Sequence, residues 1–365
     1  MAAITAYPTT KTGCYKTLEY TYTHTIVSNA NPMAIEVDVL INGTVFRTLY
    51  LAAFDSLDIV STDYIYTFKI DVSEVVQAYF DNHLFMYDDT VTYPFTSENL
   101  TANVVLDVYR YIPDTAGVLT KTGAVTRSNS RLFFNSLKDD LTDYTKSSGR
   151  KFMTKNTDYR LSSQVNNLLA FFADSSANVI RVNKDGTLTD ITLTDDQINI
   201  INLNDYFSSN TNSLRVFAGT LEGIDFTTTG EVLTYSILVD ICEPIGLHYQ
   251  NELGTNEVFI FKDYEYDIQR EIDRDYFVSF DNLVRMNTGE IEKVIQLNRN
   301  GFFNNEWNTF KDVATSSVFK IEDSTENTLE EVYPTFNSTP FRSRTGEIDI
   351  TLTFSYSTEQ KIFNN

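Results

Sequence analysis

Two runs in which apolar and polar residues alternate meet at Asn42-Gly43. This pattern constrains the fold more than any other part of the chain. Side chains two residues apart lie on the same face of a strand. An Asn-Gly pair supplies the two left-handed residues of a type I′ turn. Residues 35–50 are therefore predicted to form a β-hairpin with a two-residue loop. The predicted facing pairs are Val39 with Phe46 and Ile35 with Tyr50.

Extended runs recur throughout the chain, at residues 64–70, 103–111, 187–193, 258–261 and 348–356. The sequence also holds 22 Tyr and 26 Phe, residue types that favour strands. A second hairpin is predicted around Lys184-Asp185-Gly186. The apolar run at 168–173 is predicted to be buried, but so short a run does not separate strand from helix. The predicted fold class is mainly β.

Two short segments have the spacing of an amphipathic helix. The first follows Asp71 or Ser73, either of which can cap a helix start. The second follows Asn304 or Asn305 and carries Glu306 in its first turn, where negative charge is favoured. The apolar stripes are Val75, Val76 and Tyr79 in the first segment and Trp307, Phe310 and Ala314 in the second.

A chain of 365 residues is too long for one small core. We predict three domains: a β-sandwich domain at 1–125, a second β-rich domain at 126–230 and a C-terminal α+β domain at 231–365. In the third domain the helix that carries Trp307, the only tryptophan, is expected to lie on a sheet.

The charge balance excludes one class of partner. With 50 acidic and 28 basic residues the formal net charge is −22. Gripping a phosphate backbone requires clustered Lys and Arg, so direct nucleic-acid binding is not expected. The two cysteines, Cys14 and Cys242, have no CxxC spacing, and neither a zinc site nor a disulfide framework is implied. The longest apolar run, 168–173, is too short to span a bilayer, so membrane insertion is not expected.

The histidines are the first candidates for chemistry. His24 lies in a strand pattern and His83 follows the first predicted helix, and packing or capping is the ordinary explanation of each. His248 is close in sequence to Cys242, and a Cys242/His248 nucleophile pair is conceivable. No family signature flanks that pair, so packing is the preferred interpretation.

Acidic residues are frequent enough for pairs to arise by chance. The pairs Asp139-Asp140, Asp195-Asp196 and Glu330-Glu331 are interpreted as solvated loops. Residues 183–187 resemble a calcium loop but lack an acid at the first ligand position and carry Thr192 where a bidentate Glu belongs, which favours a hairpin turn. Without phosphate-binding, nucleophile-elbow or zinc motifs, we expect no catalytic, cofactor or metal site and no enzyme activity.

The abundant aromatic residues leave one binding function open. Aromatic rings exposed beside Asp and Asn can stack on sugars. Aromatic rings at every second position of a strand more often form the strand core and cross-strand pairs. No cluster in the sequence decides between these two uses.

Two regions carry a resemblance to a known class of proteins. In the first, the Val-x-Val-x-Ile-Asn-Gly hairpin at 37–43 precedes Tyr66-x-Phe68-x-Ile70-Asp71-Val72-Ser73 and a helix ending in Gln77-x-Tyr79. In the second, Leu247-x-Tyr249-x-Asn251-x-Leu253-Gly254 precedes Phe259-Ile260-Phe261. Later come Asn287-Thr288-Gly289, Glu306-Trp307, Ser316-Ser317-Val318-Phe319, Tyr333-Pro334 and the alternating strand at 348–356. In these regions, about 31–80 and 236–356, the chain resembles tail or tail-tip structural proteins of tailed phages and prophages of Bacteroidetes bacteria.

The resemblance implies a non-enzymatic structural subunit of a phage virion, in the tail, the tail tip or baseplate, or the neck. Such a subunit is made in the bacterial host cytoplasm and ends in the virion. Its implied partners are copies of itself and other virion proteins. The alternative is a carbohydrate-binding or receptor-binding module on the same particle, with a host-surface glycan as partner.

Overall fold

A computed structural model describes residues 2–27, 34–52, 57–60, 63–82, 92–96, 100–113, 118–136, 152–154, 158–174, 177–238, 243–271, 276–278, 284–286, 290–302, 313, 316, 318–324, 328–334, 348–356 and 360–361. Most of these residues lie in strands, which confirms the mainly β fold class. No helix among them is both long and apolar enough to cross a membrane.

The elements follow one another in chain order. They are β1 (Ala2–Ala6), β2 (Thr12–Gly13), β3 (Glu19–Val27), β4 (Ala34–Ile41), β5 (Thr44–Ala52), β6 (Leu57–Val60), β7 (Asp63–Asp71), α1 (Ser73–Asn82), β8 (Phe95–Thr96), β9 (Thr101–Pro113), β10 (Leu119–Arg127), β11 (Arg131–Phe134), β12 (Asp158–Leu161), β13 (Leu168–Ala173), β14 (Asn178–Lys184), β15 (Thr187–Thr192), β16 (Gln197–Asn202), a 3-10 helix (Leu203–Asp205), β17 (Leu214–Glu222), β18 (Asp225–Ile237), β19 (Ile245–Gln250), β20 (Asn256–Phe261), β21 (Asp263–Glu271), β22 (Tyr276–Val278), β23 (Val284–Met286), β24 (Glu290–Phe302), β25 (Phe319–Asp323), β26 (Thr328–Pro334), β27 (Ile348–Tyr356) and β28 (Gln360–Lys361).

The first sandwich consists of two sheets around one apolar core. One sheet has the order β1-β3-β7-β6, and the other has the order β2-β11-β9-β4-β5, with β10 on the free half of β9. Alternate residues of the facing strands fill the core, including Tyr20 and Phe68 from the first sheet and Val37 and Leu106 from the second. The predicted sandwich at the N-terminus is therefore present.

The β4–β5 hairpin confirms the predicted turn and corrects the predicted register. Asn42 and Gly43 have φ values of 50° and 84°, as a type I′ turn requires. One residue, Phe46, is then taken up in a β-bulge and packs against Tyr79 of α1. From the bulge onward every pair is shifted by one residue. The observed pairs are Val39 with Arg47, Glu36 with Tyr50 and Ile35 with Leu51.

Helix α1 begins where the cap prediction placed it. The Asp71 carboxylate accepts hydrogen bonds from the backbone N–H groups of Ser73 at 2.9 Å and Leu18 at 3.2 Å. Asp71, one of the two residues proposed as the cap, therefore also ties the helix start to the sandwich. The apolar stripe is buried as predicted and includes Val75, Val76, Tyr79 and Phe80.

The middle sheets form a second pair. A five-stranded sheet, β12-β18-β17-β14-β15, faces a three-stranded sheet, β13-β16-β8. Strand β8 comes from the first third of the chain and pairs with β16, which joins the middle sheets to the first sandwich. The apolar run Leu168–Ala173, for which the sequence did not separate strand from helix, is strand β13, and all six of its residues are buried. The hairpin at 184–187 is also present, with Lys184 paired to Thr187.

The C-terminal sheet has the order β20-β19-β25-β26-β27-β24-β21, with β28 beside β24. Its strand β27, Ile348–Tyr356, has the predicted bounds. The segment with Trp307, Phe310 and Ala314 lies outside the described residues. Its neighbour Val313 is helical and buried, in a cluster with Ile295 and Phe319.

The three-domain division stays a prediction. Strands β10 and β18 run across the predicted limits at 125/126 and 230/231. The glycine-rich passage near the second limit is a long hairpin of β17 and β18, which turns at Gly223 and Ile224. Tyr235, near the start of the predicted third domain, lies in β18 and pairs with β12 and β17 of the middle sheets.

Candidate functional site

The loop at 251–255, between β19 and β20, is held in shape by Asn251. The Asn251 side-chain oxygen accepts hydrogen bonds from the backbone N–H groups of Leu253 at 3.0 Å and Thr255 at 3.1 Å. The Asn251 N–H in turn donates to the Thr255 carbonyl at 2.8 Å. Asn251, Leu253 and Thr255 are buried, so this loop packs against other parts of the protein.

The same loop contacts the first sandwich. The Ser136 hydroxyl donates to the Glu252 carbonyl at 2.9 Å. Gly254 has a φ of 82°, and a Cβ atom added there would lie 1.8 Å from the Asn135 carbonyl oxygen. Leu253 packs in a cluster with Phe134 and Leu100 of the first sandwich. Only a residue without a side chain fits between these two backbones.

The loop also contacts the middle part of the chain. The Met153 carbonyl accepts hydrogen bonds from Asn251 Nδ2 at 2.8 Å and Thr255 Oγ1 at 3.1 Å. The buried carboxylate of Glu257 accepts from Asn251 Nδ2 at 2.6 Å and from the Tyr249 hydroxyl at 2.9 Å. Together these contacts of residues 249–257 with 134–136 and 153 form what we term the central junction.

His248 extends the contact between the C-terminal and middle sheets. Its side chain is fully buried, and its Nε2 lies 2.7 Å from Glu322 Oε2. Glu322 also accepts hydrogen bonds from the Asn166 backbone N–H at 3.1 Å and from Asn166 Nδ2 at 2.6 Å. Cys242, its conceivable partner, lies outside the described residues. His248 therefore occupies a packed position within the C-terminal sheet, beside the Glu322 carboxylate that also binds Asn166 between β12 and β13.

The other single candidates lie apart from one another. His24 is buried in β3 beside the Arg110 guanidinium, 3.2 Å from Nε2. His83 lies outside the described residues. Cys14 is buried, with its sulfur 4.0 Å from Asn135 Oδ1. Burial raises the pKa of the Cys14 thiol to about 12, so the thiol is protonated and unreactive at neutral pH.

The four acidic candidates have different outcomes. Asp185 is a hairpin residue whose carboxylate accepts backbone N–H groups of Asn212 and Ser213, and these hydrogen bonds lower its pKa. Glu330-Glu331 lies in strand β26, not in the expected loop, because these residues pair with Ile321 and Lys320. Asp195-Asp196 lies in an exposed turn, as predicted, and also lines a cleft. Asp139-Asp140 lies outside the described residues. Within the described part of the chain no three His, Cys, Asp or Glu side chains form a metal-binding group.

An open cleft of about 460 Å³ lies between the first sandwich and the middle sheets. Nine of the ten residues that line it are polar or charged. They are Thr10, Lys11, Asn42, Thr101, Asn103, Ser130, Asp195, Asp196 and Gln197, with Leu132 as the apolar member. Its volume is within the roughly 300–1,000 Å³ typical of small-molecule sites.

Hydrogen bonds fix the sandwich wall of this cleft. Asn42 Nδ2 donates to the Tyr79 hydroxyl at 2.9 Å and to the Thr101 carbonyl at 3.0 Å. Asn42 Oδ1 accepts the Asn103 N–H at 2.9 Å. The Lys11 N–H donates to the Leu132 carbonyl at 2.6 Å. The wall is therefore in place before any ligand arrives.

On the outer face of the sheet β10-β9-β4-β5, acidic and basic side chains of neighbouring strands form a row of charged contacts, which we term the ladder. Lys121 donates to Glu36 and lies 3.9 Å from the centre of the Tyr109 ring. Arg127 binds Asp107 through two hydrogen bonds, at 2.7 and 2.6 Å. The hydrogen bonds from Lys121 and from the Tyr111 hydroxyl lower the pKa of Glu36. Acidic side chains of β4 and β9 are thus neutralised by basic side chains of β10.

The same outer face exposes apolar side chains around that ladder. Tyr50 is 72% exposed, because the bulge at Phe46 pairs it with Glu36 on the outer face instead of Ile35 on the inner face. Val45, Leu119 and Val125 are between 41% and 51% exposed. We term Val45, Tyr50, Leu119 and Val125 the apolar patch. Across the sheet the patch spans three strand spacings, about 14 Å. Along the strands it extends about 26 Å, from Val45 beside the level of Val105 to Leu119 at the level of Pro113, with the charged contacts between its members.

No protein-family model matches the chain, and no curated protein matches it. Among solved structures, a bacterial adhesin from Mobiluncus mulieris with intramolecular disulfide, isopeptide and ester cross-links has 9% identity and a TM-score of 0.22, over 76% of this chain and 89% of the adhesin. A 1.5-MDa bacterial ice-binding adhesin has 9% identity and a TM-score of 0.17, over 94% and 91%. A Ca²⁺-stabilised ice-binding adhesin of an Antarctic bacterium has 10% identity and a TM-score of 0.19, over 98% and 73%. At these TM-scores the likenesses do not establish a shared fold.

The sequence did not reveal the cleft or the apolar patch. The cleft is assembled from five separate segments, and the acidic pair Asp195-Asp196 by itself predicts only a solvated loop. Within the patch, the outward position of Tyr50 depends on the bulge at Phe46, which no local sequence pattern predicts. The segment 247–254 was singled out for its resemblance, and the structure places it at the central junction.

Proposed function

We propose that this protein is a non-enzymatic structural subunit of a phage virion, in the tail, the tail tip or baseplate, or the neck. The observation that supports the proposal best is the central junction. A part of a mechanical assembly must keep its shape under load, and the junction links the first sandwich, the middle sheets and the C-terminal sheet through one buried loop. The loop is one of the segments that resemble phage tail proteins.

The contact with neighbouring subunits is assigned to the apolar patch. Exposed aromatic and apolar side chains that cluster on one face are typical of interaction surfaces. Strands β5 and β10 stand at the edges of this sheet in the described strand order, and most of their residues are exposed. Exposed strand edges favour pairing with another chain. The partners are copies of this chain and other virion proteins.

The decisive experiment measures self-association of the full chain. Sedimentation and mass photometry over a wide concentration range are expected to detect rings or higher oligomers. A Tyr50→Ser/Val125→Ser variant is expected to shift the population to monomer. The matched control is Leu188→Ser, at an exposed position of β15 in a different sheet. A protein that stays monomeric at every concentration, and that mass spectrometry does not find in purified virions, would refute the proposal.

A further inference from the structure

We propose that the cleft between the first sandwich and the middle sheets binds a neutral saccharide. This inference is independent of the assembly role, because the cleft and the apolar patch share no residue. The first argument is the chemistry of the walls. Hydroxyl, amide, carboxylate and ammonium groups together offer both donors and acceptors. A sugar presents many hydroxyl groups, each able to donate and accept, and therefore matches such a mixed wall.

The charges of the lining residues restrict the class of sugar. Lys11 carries one positive charge, and Asp195 and Asp196 carry two negative charges, so the lining has a net charge of −1. The chain as a whole has a formal net charge of −22. Both values disfavour a phosphorylated or carboxylated ligand. An apolar ligand is equally disfavoured, since Leu132 is the single apolar residue of the lining.

The walls are held at a fixed separation, which lowers the entropic cost of binding. Below the cleft, β8 pairs with β16, and the Phe134 and Phe172 rings pack edge to face at 5.2 Å between centroids. The Lys11 ammonium lies 5.2 Å from the centre of that Phe172 ring. The cleft is therefore part of the rigid contact between the sandwich and the middle sheets.

Backbone conformation provides an independent indication. Five residues other than glycine have positive φ in the described part of the chain, and three of them line this cleft: Lys11 at 58°, Asn42 at 50° and Asp196 at 52°. Asn42 belongs to a type I′ turn, which explains its conformation. Lys11 and Asp196 come from two unrelated segments on opposite walls. Aspartate tolerates this region, so the conformation of Lys11 is the costly one, and costly backbone conformations concentrate at ligand sites.

The test begins with binding of the full-length chain to an array of neutral, amino and acidic glycans, followed by calorimetric titration with the free saccharides that bind. Two variants remove wall groups. Asp195→Asn/Asp196→Asn removes two negative charges and keeps the shapes of both side chains. Asparagine also tolerates the positive φ at position 196. Gln197→Ala removes one amide group and provides the test if the first variant does not fold. The matched control is Asp225→Asn, at an exposed end of β18.

The expected result is binding of neutral glycans with an affinity that falls about tenfold or more in either wall variant, since each loses hydrogen bonds to the ligand. The control is expected to bind as the wild type does. The inference is overturned if the chain binds no glycan at millimolar concentration, if only acidic glycans bind, or if affinity is the same in all variants. Glycan binding by a Tyr50→Ser/Val125→Ser monomer would separate this inference from the assembly proposal.

Discussion

The Glu36 carboxylate illustrates how single residues stabilise the outer face of the first sandwich. Its oxygens accept hydrogen bonds from Lys121 and from the Tyr111 hydroxyl, the latter at 2.7 Å. Although β4 faces solvent on this side, Glu36 is only 7% exposed, because longer side chains of the adjacent strands cover it. A carboxylate held by two donors is stabilised in its ionised form.

This arrangement predicts a pH-dependent contribution to stability. The folded-state pKa of Glu36 is lowered from its ordinary value of 4.5. The contribution is therefore complete above that ordinary value and is lost as pH falls through the lower folded-state pKa. Glu36→Gln is expected to reduce the free energy of unfolding at about pH 7 and to have a smaller effect at an acid pH below the ordinary value of 4.5, measured by urea denaturation.

The matched control for this prediction is Glu222→Gln, at the exposed end of β17. It is expected to behave as the wild type does at both pH values. An equal loss of stability in Glu36→Gln at neutral and acid pH would contradict the assignment, since that loss would then come from packing and not from the ionised carboxylate.

Among the elements, β13 has the most unusual environment. Its odd-numbered residues, such as Phe171, pack in the core of the middle sheets, and its even-numbered residues, such as Phe172, pack in the cluster with Phe134 and Leu253. A strand with two buried faces reads as a continuous apolar run instead of an alternating one. The absence of alternation at 168–173 thus follows from the position of the strand between two cores.

Both faces of β13 are therefore expected to be sensitive to truncation. Phe171→Ala and Phe172→Ala should each lower the free energy of unfolding by about 3–5 kcal/mol, because each leaves a cavity in a packed cluster. Leu188→Ala in the exposed strand β15 should change it by less than about 0.5 kcal/mol. Chemical denaturation provides the values. A large effect for only one of the two phenylalanines would indicate that β13 has a single buried face.

At the scale of elements the sequence was informative where the signal was local. The turns at Asn42-Gly43 and Asp185-Gly186, the cap at Asp71 and the bounds of β27 were all predicted from neighbouring residues. The register of β4 and β5 was predicted incorrectly, because a bulge is selected by the packing of Phe46 on Tyr79, a residue in a different element.

On the scale of the whole molecule, the central junction determines whether the three groups of sheets behave as one body. Close backbone approach at Gly254 makes this contact possible, and beside the junction Gly246 leaves room for the Val165 side chain, whose Cγ1 would lie 2.3 Å from a Cβ atom there. The Asn251 and Ser136 hydrogen bonds then join segments that are 98 and 116 residues apart.

Gly254→Ala is expected to loosen this contact on both sides. The substitution combines an unfavourable positive φ with a clash against the Asn135 backbone, so we expect a loss of at least about 2 kcal/mol. Hydrogen exchange should become faster in residues 131–136 as well as in 251–255. Gly123→Ala, at a position with open space around it, is the control. Faster exchange in 251–255 alone would show that the loop does not support the first sandwich.

The sequence by itself determined several of the strands, the tight turns, the first helix and the mainly β class, because each depends on residues within a few positions of one another. Only the tertiary structure decided the cleft, the apolar patch and the central junction. These features join segments that are far apart in the chain, and their geometry depends on a bulge, on close backbone contacts and on which faces are covered. Contacts of that kind are set by the packing of whole sheets, which no short pattern of residues encodes.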